Sequence, residues 1–183
     1  MEEYKKYNRP SEKQPKSKLT WWRPPATNQF KTNFDGAVFA KIGEVGIGVV
    51  VRDNPGKVKV AMSEKIYAPS SVVVLEAMAA RRAAAFTREV GVGNCILEGD
   101  SQAVVTALQE GKKLFSEYGH ILQGTLSHLN SFKNWSLSYT PRQGNEVADA
   151  LDRRAKKSFL FSVWLDFLPP DVVAFVNADF PST

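Results

Sequence analysis

Soft metal ligands and reactive thiols are nearly missing from this chain, whose 183 residues include one cysteine, Cys95, and two histidines, His120 and His128. A single cysteine excludes an internal disulfide framework and a cysteine-based zinc site, and it suits a reducing compartment. Cys95 sits in the apolar stretch Cys95-Ile96-Leu97, where a buried structural thiol is expected rather than a nucleophile. Long hydrophobic runs are missing too. Nothing approaches the ~18 uninterrupted apolar residues that span a bilayer, and Met1-Glu2-Glu3-Tyr4-Lys5-Lys6 lacks the apolar stretch of a signal peptide. The expectation is a soluble, intracellular monomer, cytoplasmic or nuclear, with no membrane partner. At 43% hydrophobic content the chain is long enough for one buried core and short for two.

The net charge of +5 is unevenly spread. Residues 1–30 hold seven Lys/Arg against three Glu, or +4, and residues 159–183 hold three Asp and no base, or −3, which leaves +4 for residues 31–158. With four acids of that middle segment set aside as candidate metal ligands, the remainder is about +8. That balance favours a phosphate-backbone partner, although ordinary surface lysine gives the same count.

Organisation follows composition. Residues 1–28 are polar, with Pro10, Pro15, Pro24, Pro25 and clustered Lys, and read as a flexible basic arm or linker. Within them Trp21-Trp22 either stacks on bases or packs on a domain edge. Strands are predicted over residues 30–38, 46–52 and 57–62, the last two separated by the turn Asp53-Asn54-Pro55-Gly56. A helix over residues 75–90, rich in Ala, Arg, Met and Glu, ends at Gly91 and Gly93. A short strand at residues 95–97 is followed by Ser101 as the N-cap of a helix over 102–109, which Gly111-Lys112-Lys113 breaks. A helix over 118–129, a strand over 135–140 and a helix over 146–157 capped by Asn145 complete the domain, taken as residues 29–158. Residues 159–183 read as an apolar tail packing on it, with a short helix over 171–176. The order βββαβααβα implies an α/β fold with a mixed five-stranded sheet and helices on both faces.

Against the scarcity of soft ligands stand four carboxylates at element ends. Asp35 lies on the first strand, Glu76 opens the first helix, Asp100 ends the fourth strand, and Asp149 lies in the first turns of the last domain helix. In such a sheet, side chains at one set of strand ends meet in a common crevice. Each acid alone has an ordinary reading: a turn at Asp35-Gly36, or helix-start acids at Glu76 and Asp100. Together they would repel one another without a cation, and hard divalent cations take oxygen ligands. Asp152, one turn after Asp149, is a rival for its place, with Lys156 at i+4 as an alternative surface partner.

The segments Lys31-Thr32-Asn33-Phe34-Asp35-Gly36-Ala37, Gly46-Ile47-Gly48-Val49-Val50-Val51-Arg52-Asp53, Leu75-Glu76-Ala77-Met78-Ala79-Ala80, Glu98-Gly99-Asp100-Ser101 and Arg142-Gln143-Gly144-Asn145-Glu146-Val147-Ala148-Asp149-Ala150-Leu151 occur in one order. In that order the chain resembles the ribonuclease H family, and most closely the ribonuclease H-like domains that accompany plant non-LTR retroelement reverse transcriptases. The resemblance implies a ribonuclease H-like fold, with Asp35, Glu76, Asp100 and Asp149 as catalytic ligands of two Mg²⁺ or Mn²⁺ ions. It implies hydrolysis of the RNA strand of an RNA/DNA hybrid, contacted by Ser71, Ser101, Gln102, Arg142 and Asn145. Ser70 and Ser71 stand where bacterial members carry polar residues before the catalytic Glu, and three valines follow them. No basic protrusion follows Asp100, Lys112-Lys113 being its nearest remnant. The loop Thr140-Pro141-Arg142-Gln143-Gly144 lacks the histidine of many members. These departures leave a retroelement-derived nucleic-acid-binding domain with weak or no catalysis as the alternative, and another nuclease or integrase on the same fold as a third reading.

Overall fold

The computed structural model describes residues 21–111 and 116–180. Its first three strands, β1 (Phe30–Phe39), β2 (Glu44–Arg52) and β3 (Val58–Tyr67), form an antiparallel meander in which Asp35 faces Gly48 and Val49 faces Met62. The β2–β3 turn closes through Asp53, whose carbonyl accepts from the Gly56 N–H and whose carboxylate accepts from the Lys57 N–H. Gly56 takes φ 88°, a conformation that costs glycine little.

Next come α1 (Val72–Glu89), β4 (Asn94–Gly99), α2 (Gln102–Glu110), α3 (Gly119–Leu129), β5 (Asn134–Tyr139), a 3₁₀ turn (Arg142–Gly144), α4 (Glu146–Arg154), a second 3₁₀ turn (Ala155–Lys157), β6 (Phe161–Leu165) and α5 (Pro170–Ala178). The strand order is β5-β4-β1-β2-β3-β6, with β1–β4 and β4–β5 parallel and the other pairs antiparallel. The sheet therefore has six strands rather than the five expected. The sixth comes from the apolar tail, where Phe161-Ser162-Val163-Trp164-Leu165 pairs with β3, Leu165 opposite Val60 and Val163 opposite Met62. Phe161, Val163 and Leu165 stay exposed while Ser162 and Trp164 are half-buried, so the strand runs against the usual polar-out pattern.

Apolar side chains fill both faces of the sheet. On one side Phe34, Val49, Met62 and Leu97 meet α1, α2 and α3 through Leu75, Leu108, Leu122 and Leu129. On the other, Val50 and Ala61 meet Val147 and Leu151 of α4 and Val172 of α5. Each fully buried leucine contributes roughly 1.5–3 kcal/mol. Cys95 is buried in the larger cluster, where burial pushes its thiol up to about 11. Among the described residues, no helix is long and apolar enough to cross a membrane.

Three local features differ from expectation. Helix α1 begins at Val72, three residues earlier than its sequence suggests, with Ser71 Oγ accepting from the Val74 N–H at 3.4 Å. Val72 and Val74 are buried there, and packing outweighs the modest helix preference of valine. Glu76 consequently stands in the second turn, not the first. Ser101 and Asn145 occupy the N-cap positions of α2 and α4, yet neither side chain caps its helix. Lys112 and Lys113 lie outside the described residues, as do residues 1–20 of the expected arm.

Helix α4 lies directly on β2. A Cβ on Gly48 would collide with the Ala148 carbonyl and the Asp152 amide, and one on Gly46 with the Asp152 carbonyl. Ser63 Oγ on β3 donates to the Leu151 carbonyl at 2.8 Å. The two glycines thus let helix and sheet backbones touch with no side chain between them.

The opposite end of β2 carries a buried cation. Arg52 is fully buried, with its guanidinium 3.7 Å from the centroid of the Trp22 ring and 2.6 Å from Asp179 Oδ2. Phe180 meets Trp22 edge-on, at 5.9 Å between ring centroids. Trp22 Nε1 donates to Asn33 at 2.9 Å, so the pair of residues before β1 and after α5 closes over the same point.

Candidate metal centre

Strand alternation puts Lys31, Asn33 and Asp35 on one face of β1, and all three are buried. The strip below Asp35 is fully partnered. Asn33 Nδ2 donates to Glu98 Oε1 at 3.0 Å and to Asn145 Oδ1 at 3.3 Å, while Lys31 Nζ and Ser138 Oγ reach Glu98 Oε2 at 3.0 and 2.8 Å. Asn145 Nδ2 donates to the Phe34 carbonyl at 2.9 Å, fastening the start of α4 beside Asp35.

Above that strip the carboxylates converge. Strand β4 runs parallel to β1 with Phe34 opposite Gly99, so Asp35 and Asp100 emerge side by side. Leu75 packs on Gly36, where a Cβ would lie 2.7 Å from Leu75 Cγ, and this close crossing carries Glu76 to the same point. Oxygens of Asp35, Glu76 and Asp100 lie within 4.8 Å of one another, and so do oxygens of Asp35, Asp149 and Asp152. Asp35 belongs to both triads. The four carboxylates expected from sequence are therefore assembled, and Asp152 joins Asp149 instead of competing with it.

The electrostatics are those of a site short of positive charge. Burial, then Asp100 and Asp149, raise the Asp35 carboxyl well above the ordinary range. Burial, then Asp35 and Asp100, do the same to Glu76. Burial raises Asp100, with Arg142 opposing, and burial followed by Asp35 and Asp149 raises Asp152. Arg142 and Arg153 both donate to one atom, Asp149 Oδ1, at 2.9 and 2.8 Å. Glu76 Oε2 and Asp152 Oδ1 are buried without any hydrogen-bond partner. An unpaired buried carboxylate costs several kcal/mol. Oxygen-only donors with orphaned atoms facing a shared centre fit hard divalent cations such as Mg²⁺ or Mn²⁺.

The residues expected to touch nucleic acid divide in two. Arg142, in the 3₁₀ turn at the crevice mouth, has a 58% exposed side chain. Although burial lowers its pKa, Asp149, Asp35 and Asp100 outweigh that and raise it, so it stays cationic. Gln102 is exposed and donates to Thr106 Oγ1, and Ser101 is half-exposed beside Asp100. Ser71 is engaged at the start of α1. Asn145 is buried, its Oδ1 accepting from Asn33 at 3.3 Å and its Nδ2 donating to the Phe34 carbonyl at 2.9 Å. Both histidines lie on α3, outside the Arg142 loop, and burial followed by Arg88 and Arg81 lowers the pKa of His128.

Sequence reasoning missed Asn33 and gave Asp152 only as a rival of Asp149. Asn33, two residues before Asp35 and so on the same strand face, joins Trp22, Glu98 and Asn145. Asp152 belongs to the cluster because α4 buries Val147, Ala148 and Leu151, and a residue one turn beyond Ala148 points inward with them.

Comparisons with known proteins agree with this architecture. The family described as "Reverse transcriptase-like" matches residues 33–155, a span containing all five carboxylates. No curated protein sequence is a significant match. Ribonuclease H1 of the halophilic archaeon Halobacterium salinarum NRC-1 superposes with a TM-score of 0.64 at 25% identity, covering 70% of this chain and 98% of its own. An N-terminal ribonuclease H domain from Mycobacterium tuberculosis shares the fold with a TM-score of 0.63 at 19% identity, over 70% of this chain and 94% of its own. A ribonuclease H1 isolated from compost, solved in complex with an RNA/DNA hybrid, gives 0.59 at 23% identity over 69% and 95%. The chain therefore belongs to the reverse transcriptase-like family and has the ribonuclease H-like fold.

Proposed function

We propose that this protein is a metal-dependent endonuclease that hydrolyses the RNA strand of RNA/DNA hybrids. The observation that carries the reading is the pair of carboxylate triads sharing Asp35, with orphaned buried oxygens on Glu76 and Asp152. The archaeal ribonuclease H1 and the hybrid-bound relative support the substrate class.

Asp35, Glu76 and Asp100 would hold one cation, and Asp35 with Asp149 a second. Two Mg²⁺ or Mn²⁺ ions supply, when bound, a more acidic attacking water and compensation for charge on the phosphate and the leaving 3′-oxygen. Asp35, fixed by the Gly36 N–H donating to its Oδ1 at 2.8 Å, would be the ligand common to both positions. Arg142 adds a permanent positive charge at the crevice mouth, suited to a backbone phosphate and unsuited to proton transfer. Ser101 and Gln102 would follow the cleaved strand beside Asp100, and 2′-hydroxyls distinguish RNA from DNA there.

The test is cleavage of an end-labelled hybrid with and without Mg²⁺ or Mn²⁺, alongside duplex RNA, duplex DNA and single strands. We expect metal-dependent products with 5′-phosphate and 3′-hydroxyl ends from the hybrid, and loss of cleavage in Asp35→Asn and Asp100→Asn. Saturable hybrid binding with no turnover under generous Mn²⁺ would overturn the reading.

A further inference from the structure

Two buried carboxylates in this protein, Glu98 and Asp152, have opposite surroundings. Glu98 accepts from Asn33, Lys31 and Ser138, and its burial is fully accounted for by those partners. Asp152 is 1% exposed, and its Oδ1 has no partner at all. The i+4 pairing with Lys156 is not made, because α4 rests on Gly46 and Gly48 and is tied to β3 through Ser63, which holds position 152 against the sheet. The carboxylate faces oxygens of Asp35 and Asp149 within 4.8 Å. Asp149 has meanwhile committed Oδ1 to both Arg142 and Arg153. Of the two α4 acids, the one with a free, buried, inward oxygen is Asp152.

We propose that Asp152 is a third carboxylate donor to the cation position between Asp35 and Asp149, so that α4 contributes two ligands one turn apart instead of one. Positions i and i+3 on a helix lie on one side, and both side chains reach a common ion. Charge supports the assignment. Asp149 is offset by two guanidiniums, and a cation there relies on Asp35 and Asp152 for uncompensated negative charge.

The inference rests on the metal-dependent reading of the site, and its test separates the two. Mn²⁺ and Mg²⁺ are titrated calorimetrically into the wild-type chain, Asp152→Asn and Asp152→Ala, and each is melted with and without Mn²⁺. Both variants should weaken one cation-binding event, by at least the ~10–100-fold typical of losing a supporting contact, and leave the other event in place. Their metal-free melting temperatures should rise above wild type while the Mn²⁺-induced gain shrinks. Wild-type affinity and stoichiometry in both variants would overturn the inference, whether or not hybrid is cleaved. A wild-type chain that binds cations but cleaves no hybrid would remove the hydrolase and leave the Asp152 ligand standing.

Discussion

Gly48 lies directly beneath Asp152, so close that a methyl group on Gly48 would strike the Asp152 backbone amide. The distance between α4 and β2 is set by this contact, and with it the position of the second triad. Gly48→Ala should push the helix outward, at a cost of about 1–3 kcal/mol for the forced shift. Urea denaturation should show the lower midpoint, and metal affinity should drop with it because Asp149 and Asp152 move together.

Acidity supplies a second prediction. Asp35, Glu76 and Asp152 each have a folded-state pKa raised chiefly by burial. The folded chain then retains protons that the unfolded chain has released above about pH 4. The stability these groups confer is full below that pH and is lost as pH rises through their folded values. Metal-free melting temperatures should therefore fall as pH rises above about 4, and saturating Mn²⁺ should flatten or reverse the slope, since ligands bind metal deprotonated. A metal-free profile that climbs over this interval would contradict the assignment.

Glu76→Gln should separate stability from activity. The substitution removes a buried charge with an unpartnered oxygen, so metal-free stability should increase, by about 1 kcal/mol or more. Hybrid cleavage should drop by two or more orders of magnitude, on the order of other losses of transition-state charge stabilisation. Paired melting curves and single-turnover cleavage measure both sides of this trade.

Arg142→Ala should act on binding. Loss of one phosphate contact should weaken affinity for hybrid and reduce the slope of log affinity against log salt by about 0.7–0.9. Fluorescence anisotropy at several salt concentrations reads this directly, and an unchanged slope would place Arg142 away from the backbone.

Asn145→Ala should report on positioning. Two buried bonds are lost, to Asn33 and Phe34, and the unsatisfied groups left behind cost about 1–3 kcal/mol. Turnover should fall more than hybrid affinity, because Asn145 is buried and holds α4 beside Asp35.

The site was legible because its chemistry needs particular residue types at element ends, and Asp35, Glu76, Asp100 and Asp149 were recognisable there. Asp152 was recognisable only as a rival of Asp149, with Lys156 at i+4 as its alternative surface partner, because its setting depends on two glycines about a hundred residues away. The capping role expected of Asn145 failed for a similar reason: the Phe34 carbonyl it uses belongs to another element. Strand β6 escaped notice because its apolar side chains occupy exposed positions, so polarity does not mark its pairing with β3. The finer placement among plant retroelement domains rests on motif resemblance alone.

The stacking of Arg52 on Trp22, with Asp179 completing its charge, bears on where this domain can be cut. Shortening the chain to residue 158 would strip away β6, α5 and the anion that neutralises a fully buried guanidinium. Trimming to residue 28 would remove the aromatic plate on its other side. The two margins of the chain thus act as a clasp on one central strand, and a shortened chain keeps that clasp only if it retains both Trp22 and Asp179.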